Sequence, residues 1–111
     1  MNKGINTIIY PVKDIAKAKA LFTALLGKEP FVDQPYYVGY KVGSQDIGLD
    51  PNGHKHGMTP YYEIGDIKQS LQALLDAGAT TLEEIKDVGG GKLIAVVKDT
   101  EGNIIGLSQN A

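Results

Sequence analysis

The sequence predicts an α+β protein made of two βαβββ units in tandem. Three observations lead there. The segments IIYPVKDIAKAKALFTALLG and YYEIGDIKQSLQALLDAG share one order of features: a strand pattern, an aspartate, an amphipathic stretch and a glycine. Each is followed by short strand-like runs broken by turn residues. Both halves close on the same tripeptide, Ile47-Gly48-Leu49 and Ile105-Gly106-Leu107.

In the first unit the strand IIYPV leads to Asp14, whose carboxylate is suited to accept a free N–H at a helix start. Ile15, Ala18, Phe22 and Leu25 are expected on one helical face, and Gly27 can end the helix in a left-handed conformation. FVDQ, YYVGYKVG and DIGLD then read as strands. The segment DPNGHKHGMTP, rich in proline, glycine and polar residues, reads as the linker. In the second unit Asp66 opens the helix, Ile67, Leu71, Leu74 and Leu75 form its apolar face, and Gly78 stops it. TTLEEI, KLIAVVKD and NIIGLSQ supply the remaining strands. Gly89-Gly90-Gly91 is expected as a hairpin turn, because a phosphate-cradling loop needs a helix after it and here a strand follows.

At 111 residues the chain has the size of one domain, and either half alone is too small to bury a stable core. It is read as a single domain, 1–111, with modules at about 4–51 and 58–110. Its net charge of -2, without clusters of either sign, argues against a nucleic-acid surface. The lack of cysteine excludes disulfides, zinc–thiolate sites, iron–sulfur clusters and a cysteine nucleophile. MNKGINTIIYPVKD holds no apolar signal core, and no later stretch reaches membrane-spanning length, so a cytoplasmic protein without membrane contact is expected.

The βαβββ–βαβββ order, the helix openings VKD and IGD and the closing KDTEGNIIGL resemble the vicinal oxygen chelate superfamily of glyoxalases, bleomycin-resistance proteins and extradiol dioxygenases. Asp99-Thr100-Glu101-Gly102-Asn103 resembles the family's D-P-x-G-N turn, with Thr100 in place of proline. The resemblance covers nearly the whole chain. It implies a glyoxalase/bleomycin resistance-like fold: a curved, mostly antiparallel sheet with helices on its convex side, paired with a second copy as a homodimer.

Metal-dependent relatives carry their ligands on the first and last strands of each unit, facing the concave side. Seven residues before the helix-opening aspartates, where the family often has histidine or glutamine, stand Thr7 and Thr59. Where the final strands would supply glutamate stand Gly48 and Gly106. Glycine offers no donor and a threonine hydroxyl is a poor one for a divalent transition metal, so neither metal nor other cofactor is expected.

Strand alternation then picks the residues expected to line the cleft: Thr7 and Ile9 in one opening strand, Thr59, Tyr61 and Glu63 in the other, with Asp46 and Asp50 beside Gly48. Gly48 and Gly106 are expected to widen it, and Gly106→Leu to abolish binding. Four of the six tyrosines occur as pairs, Tyr36-Tyr37 and Tyr61-Tyr62, and one of each pair should face inward; Tyr37, Tyr40 and Tyr61 are the candidate aromatic contacts. His54 and His56, the only histidines, read first as solvated loop residues; in the dimer they could instead overhang the cleft as hydrogen-bond donors, with Glu63 as an inward carboxylate able to act as base. The reading that follows is a metal-independent protein holding an aromatic or bulky organic molecule, antibiotic sequestration being one option. The alternative is a lyase or isomerase of the glyoxalase type, metal-free or with its ligands elsewhere.

Overall fold

The computed structural model describes residues 2–52 and 56–111. By contacts the chain divides into two units, residues 7–59 and residues 60–111, the latter joined by the N-terminal stretch up to Asn6. The strand β1 (Asn2–Pro11) therefore contributes to both.

The first unit continues through α1 (Ile15–Leu26), β2 (Val32–Gln34), β3 (Tyr37–Val42) and β4 (Gln45–Asp50). Its sheet order is β2-β3-β4-β1. β2, β3 and β4 pair antiparallel, whereas β1 runs parallel to β4, the arrangement a helical crossover permits. Gly43, at φ 61°, takes the left-handed conformation needed in the two-residue turn between β3 and β4.

The helix α1 starts where Asp14 accepts a hydrogen bond from the Lys17 N–H at 3.1 Å. It ends at Gly27, left-handed at φ 66°, whose N–H donates to the Thr23 carbonyl at 2.9 Å. Beneath it lie Val38, Tyr40 and Leu49, nearly sealed from solvent, with Tyr10, Ile15, Ala18, Phe22 and Leu26 packed against them. The Tyr10 and Phe22 rings meet at 5.0 Å. One expectation is corrected: Leu26, not Leu25, completes the buried face, and Leu25 is 67% exposed. At about 100° per residue Leu26 falls roughly 20° from Ile15, while Leu25 falls roughly 80° away, off the stripe.

The second unit comprises β5 (Thr59–Ile64), α2 (Ile67–Asp76), β6 (Thr80–Asp87), β7 (Leu93–Lys98) and β8 (Ile104–Gln109), in the sheet order β5-β8-β7-β6. It repeats the first: β5 runs parallel to β8, and β7 antiparallel to both its neighbours. Asp66 caps α2 through the Gln69 N–H at 3.1 Å, and Gln109 accepts the Ile67 N–H at 2.8 Å, tying helix start to β8. Ile67, Leu71, Leu74 and Leu75 all pack on Ile64, Ala95, Val97 and Leu107, as the sequence pattern predicts. Each such side chain withdrawn from water contributes about 1.5–3 kcal/mol, which makes these two clusters the main stabilising features of their units.

Gly89, Gly90 and Gly91 all have positive φ and form the β6–β7 turn, closed by Val88 N–H to the Lys92 carbonyl at 2.9 Å. The turn before β8 is organised by Asp99. Its carboxylate accepts from the backbone N–H groups of Glu101 and Asn103, each at 2.8 Å, and from the Asn103 amide at 2.9 Å. These donors, led by the Asn103 side chain, hold the Asp99 carboxyl below its ordinary value. Among the described residues no helix is long and apolar enough to cross a membrane.

Candidate functional site

Each sheet has one face under its helix and one face turned away, and alternation along the strands assigns every side chain. In the first unit Val38 and Tyr40 of β3 and Leu49 of β4 belong to the α1 side. The opposite face therefore receives Tyr37, Gly39 and Lys41 from β3, and Asp46, Gly48 and Asp50 from β4. Across from β4, Thr7 pairs with Asp46 and Ile9 with Gly48.

Tyr40 thus leaves the candidate site. It is 1% exposed, donates its hydroxyl to the Lys19 carbonyl at 3.0 Å and shares a 2.9 Å hydrogen bond with the Thr23 hydroxyl. The physical reason is parity: Tyr40 is three residues from Tyr37, so the two rings must point to opposite faces. Tyr36, just before β3, is exposed.

Tyr37 lies across two glycines. A Cβ built at position 39 would stand 3.0 Å from Tyr37 Cε2, and one at position 48 would stand 2.8 Å from Tyr37 Cζ and 2.6 Å from Ile9 Cδ1. The expected opening at Gly48 is therefore corrected: the space a side chain would take is filled by the Tyr37 ring. Burial, followed by the charges of Asp46 and Asp50, raises the Tyr37 hydroxyl above its ordinary pKa. Asp46 pairs with Lys41 Nζ at 3.0 Å, and Asp50 accepts the Asn52 N–H at 2.9 Å.

In the second unit Tyr61 stands opposite Gly106 in register and covers it. A Cβ at position 106 would stand 2.6 Å from Tyr61 Cε2 and 2.7 Å from Cγ, so here too the expected gap is closed by a ring. Tyr61 is 7% exposed, more deeply set than Tyr37.

Glu63, two residues further along the same strand face, is engaged by three donors. Its carboxylate accepts from Asn6 Nδ2 at 2.9 Å and Asn110 Nδ2 at 3.3 Å, and it pairs with Lys3 Nζ at 3.4 Å. This cluster fastens β1 and the segment after β8 to β5, an anchoring task with no local signature in the sequence, because none of the partners is near Glu63 along the chain. Thr59 is fully buried and donates its hydroxyl to the Gly57 carbonyl at 3.1 Å. His56 is half-buried; His54 lies outside the described residues.

The four positions at which the resemblance places metal ligands hold Thr7, Gly48, Thr59 and Gly106. Two provide no side chain, and tyrosine rings occupy the space there. Among the described residues no three histidine, cysteine, aspartate or glutamate side chains gather in a way that could hold a metal ion. This donor set does not fit a divalent transition metal. What the sequence missed was the Tyr37–Gly39–Gly48 stack, although its signal was present: a tyrosine two residues from one glycine, on the strand paired to another.

A family model described as the Glyoxalase/Bleomycin resistance protein/Dioxygenase superfamily matches residues 4–107. None of the curated proteins matches. Among solved structures, a hypothetical protein, BH1468, from Bacillus halodurans C-125 superposes with a TM-score of 0.78 at 16% identity, covering 99% of this chain and 95% of that one. A glyoxalase/bleomycin resistance protein/dioxygenase superfamily member from Vibrio splendidus 12B01 gives 0.73 at 18% identity, covering 99% and 100%. Methylmalonyl-CoA epimerase from Mycobacterium tuberculosis gives 0.72 at 16% identity, covering 99% and 89%. At these identities the likeness concerns the fold.

Proposed function

Because the chain belongs to the glyoxalase/bleomycin resistance protein/dioxygenase superfamily, we propose that it uses the sheet faces of that fold to bind a flat or bulky organic molecule without a resident metal. The observation that carries this reading is the pair of tyrosine rings laid over Gly48 and Gly106, at the positions where the family's carboxylate ligands would stand. A ring seated on glycine backbone offers a rigid apolar surface at low entropic cost, which suits stacking. Glu63, with both carboxylate oxygens engaged by its own unit, serves this reading better as a structural anchor than as a base. Holding the molecule, as in sequestration of an antibiotic, requires nothing more.

The methylmalonyl-CoA epimerases share the architecture, but at 16% identity they lend this chain no substrate. Self-association as a homodimer is part of the proposal. The exposed Leu21 and Leu25 of α1, with Phe31 and Tyr36, give the first unit apolar surface that a second copy could cover.

A thermal-shift screen of aromatic metabolites and antibiotics, with and without a chelator, tests the reading. Stabilisation by aromatic compounds that is indifferent to the chelator is the expected result, with Tyr61→Leu and Tyr37→Leu weakening it. A stoichiometric divalent ion in the purified protein, or binding that the chelator abolishes, would overturn it. Sedimentation of the free protein at a monomer mass would remove the dimer.

A further inference from the structure

We propose that the first unit's open sheet face selects a cationic organic ligand, with its planar part on the Tyr37 ring and its positive group at Asp50, beside Asp46. This rests on the aromatic-face reading and adds a charge to it.

The geometry begins with β4. Asp46, Gly48 and Asp50 are alternate residues of one strand and share a face, so the two carboxylates flank the glycine on which Tyr37 lies. The ring is wedged over Gly39 and Gly48 and beside Ile9, which fixes a π-face between two negative groups. A cation above such a ring gains from the ring quadrupole and from the carboxylates together. Both carboxylates act on Tyr37 itself: after burial, their charge raises the pKa of its hydroxyl.

Among the described residues the charges on this face do not cancel. Asp46 is paired with Lys41, whose Nζ also lies 5.1 Å from the centre of the Phe31 ring. Asp50 accepts the Asn52 N–H through Oδ1, and among the described residues no cation is paired with it. Among the described residues, then, one negative charge is left beside the aromatic platform. An anionic ligand would need the opposite arrangement. The chain contains no arginine, all eleven basic residues being lysine, and so lacks the planar fork that grips carboxylate or phosphate. In the second unit the corresponding position opposite the opening strand is Ser108, and the Glu63 carboxylate is already answered by Lys3. The preference belongs to the first unit.

The test uses three probes with one ring system: tryptamine, tryptophol and indole-3-acetate, carrying an ammonium, a hydroxyl and a carboxylate. Titrated into the full-length protein and followed by amide NMR shifts, tryptamine should bind about tenfold more tightly than tryptophol, with the shifts centred on Tyr37, Gly39 and Gly48. Added salt should narrow the gap. Asp50→Asn keeps the Oδ1 acceptor for the Asn52 N–H and removes only the charge; it should erase most of the preference while tryptophol binding stays. Equal affinities, tighter binding of indole-3-acetate, or a preference that survives Asp50→Asn would overturn the charge assignment. If binding in those cases is still lost in Tyr37→Leu, the aromatic-face reading stands alone. Binding of none of the three probes would overturn both.

Discussion

The two units reach the same arrangement with the same two residue types exchanged. In the first, Ile9 stands opposite Gly48 and the ring arrives from the neighbouring strand, as Tyr37. In the second, Tyr61 stands opposite Gly106, and the position matching Tyr37 holds Ile94. Register alone equates Ile9 with Tyr61 and Tyr37 with Ile94. What the units share is a ring over a glycine, and either flanking strand can deliver it. The delivery differs in consequence: Tyr61 meets its glycine with the root of the ring and is nearly sealed, whereas Tyr37 meets Gly48 with its tip and stays half-exposed.

Truncating the rings is the strongest way to break that comparison. Tyr61→Ala empties a buried volume and should cost about 3–5 kcal/mol in urea unfolding. Tyr37→Ala, at a half-exposed position, should cost only about 1–2 kcal/mol. Equal costs would mean that burial does not distinguish the two platforms.

Adding one methyl to each glycine comes next. In Gly106→Ala the new Cβ collides with the fixed base of Tyr61, and overpacking of this kind costs about 1–3 kcal/mol. In Gly48→Ala the collision is with the far end of Tyr37 and the Ile9 terminus, both able to shift, so the loss should stay at about 1 kcal/mol, with a larger effect on ligand binding than on stability. Calorimetry of the two variants checks the order.

These variants also show how far the sequence could be read. The helices, their aspartate caps and the glycine turn at 89–91 were legible because each is set by local chemistry within a few residues. The faces of the strands are legible from parity, which sets Tyr61 and Gly48 on the side away from the helices but also should have kept Tyr37 and Tyr40, three residues apart, from sharing a face. Leu25 and Leu26 are adjacent apolar residues of one type, and only the angle from Ile15 shows that Leu26 lies in the stripe and Leu25 beyond it. What an absent side chain would leave was not legible. A glycine reads as open space until the neighbouring strand is in register, and only then does the covering ring become visible. The Lys3–Asn6–Glu63–Asn110 cluster is more distant still, since its members come from three remote segments.

Where local chemistry alone acts, the units should behave alike, which sharpens the contrast between their faces. Asp14→Ala and Asp66→Ala each remove one side-chain acceptor from a helix start, at the same 3.1 Å distance. Each should lower the unfolding free energy by about 1 kcal/mol, measurable by urea denaturation, and neither should alter ligand preference. A markedly larger loss at Asp66 would point to its neighbour Ile67, whose N–H is also bound by Gln109.

The smallest difference expected is one of pH, and it isolates Tyr37. Its hydroxyl is raised above the ordinary tyrosine value by burial and then by Asp46 and Asp50, so the folded state holds the proton more firmly than the unfolded chain. Above about pH 10 the unfolded chain releases that proton first, which favours unfolding. The stabilising contribution is therefore complete below that pH and is lost as pH rises through the folded value. Tyr37→Phe has no proton to lose. Relative to this variant, the native protein should lose stability as the pH rises past about 10, as followed by urea unfolding. Adding Asp46→Asn and Asp50→Asn to a chain that keeps Tyr37 should shrink that loss without removing it, because burial is the larger cause and the carboxylates the lesser. An unchanged loss would show that the carboxylates do not reach the ring, and with it the field that makes the first unit's face differ from the second's.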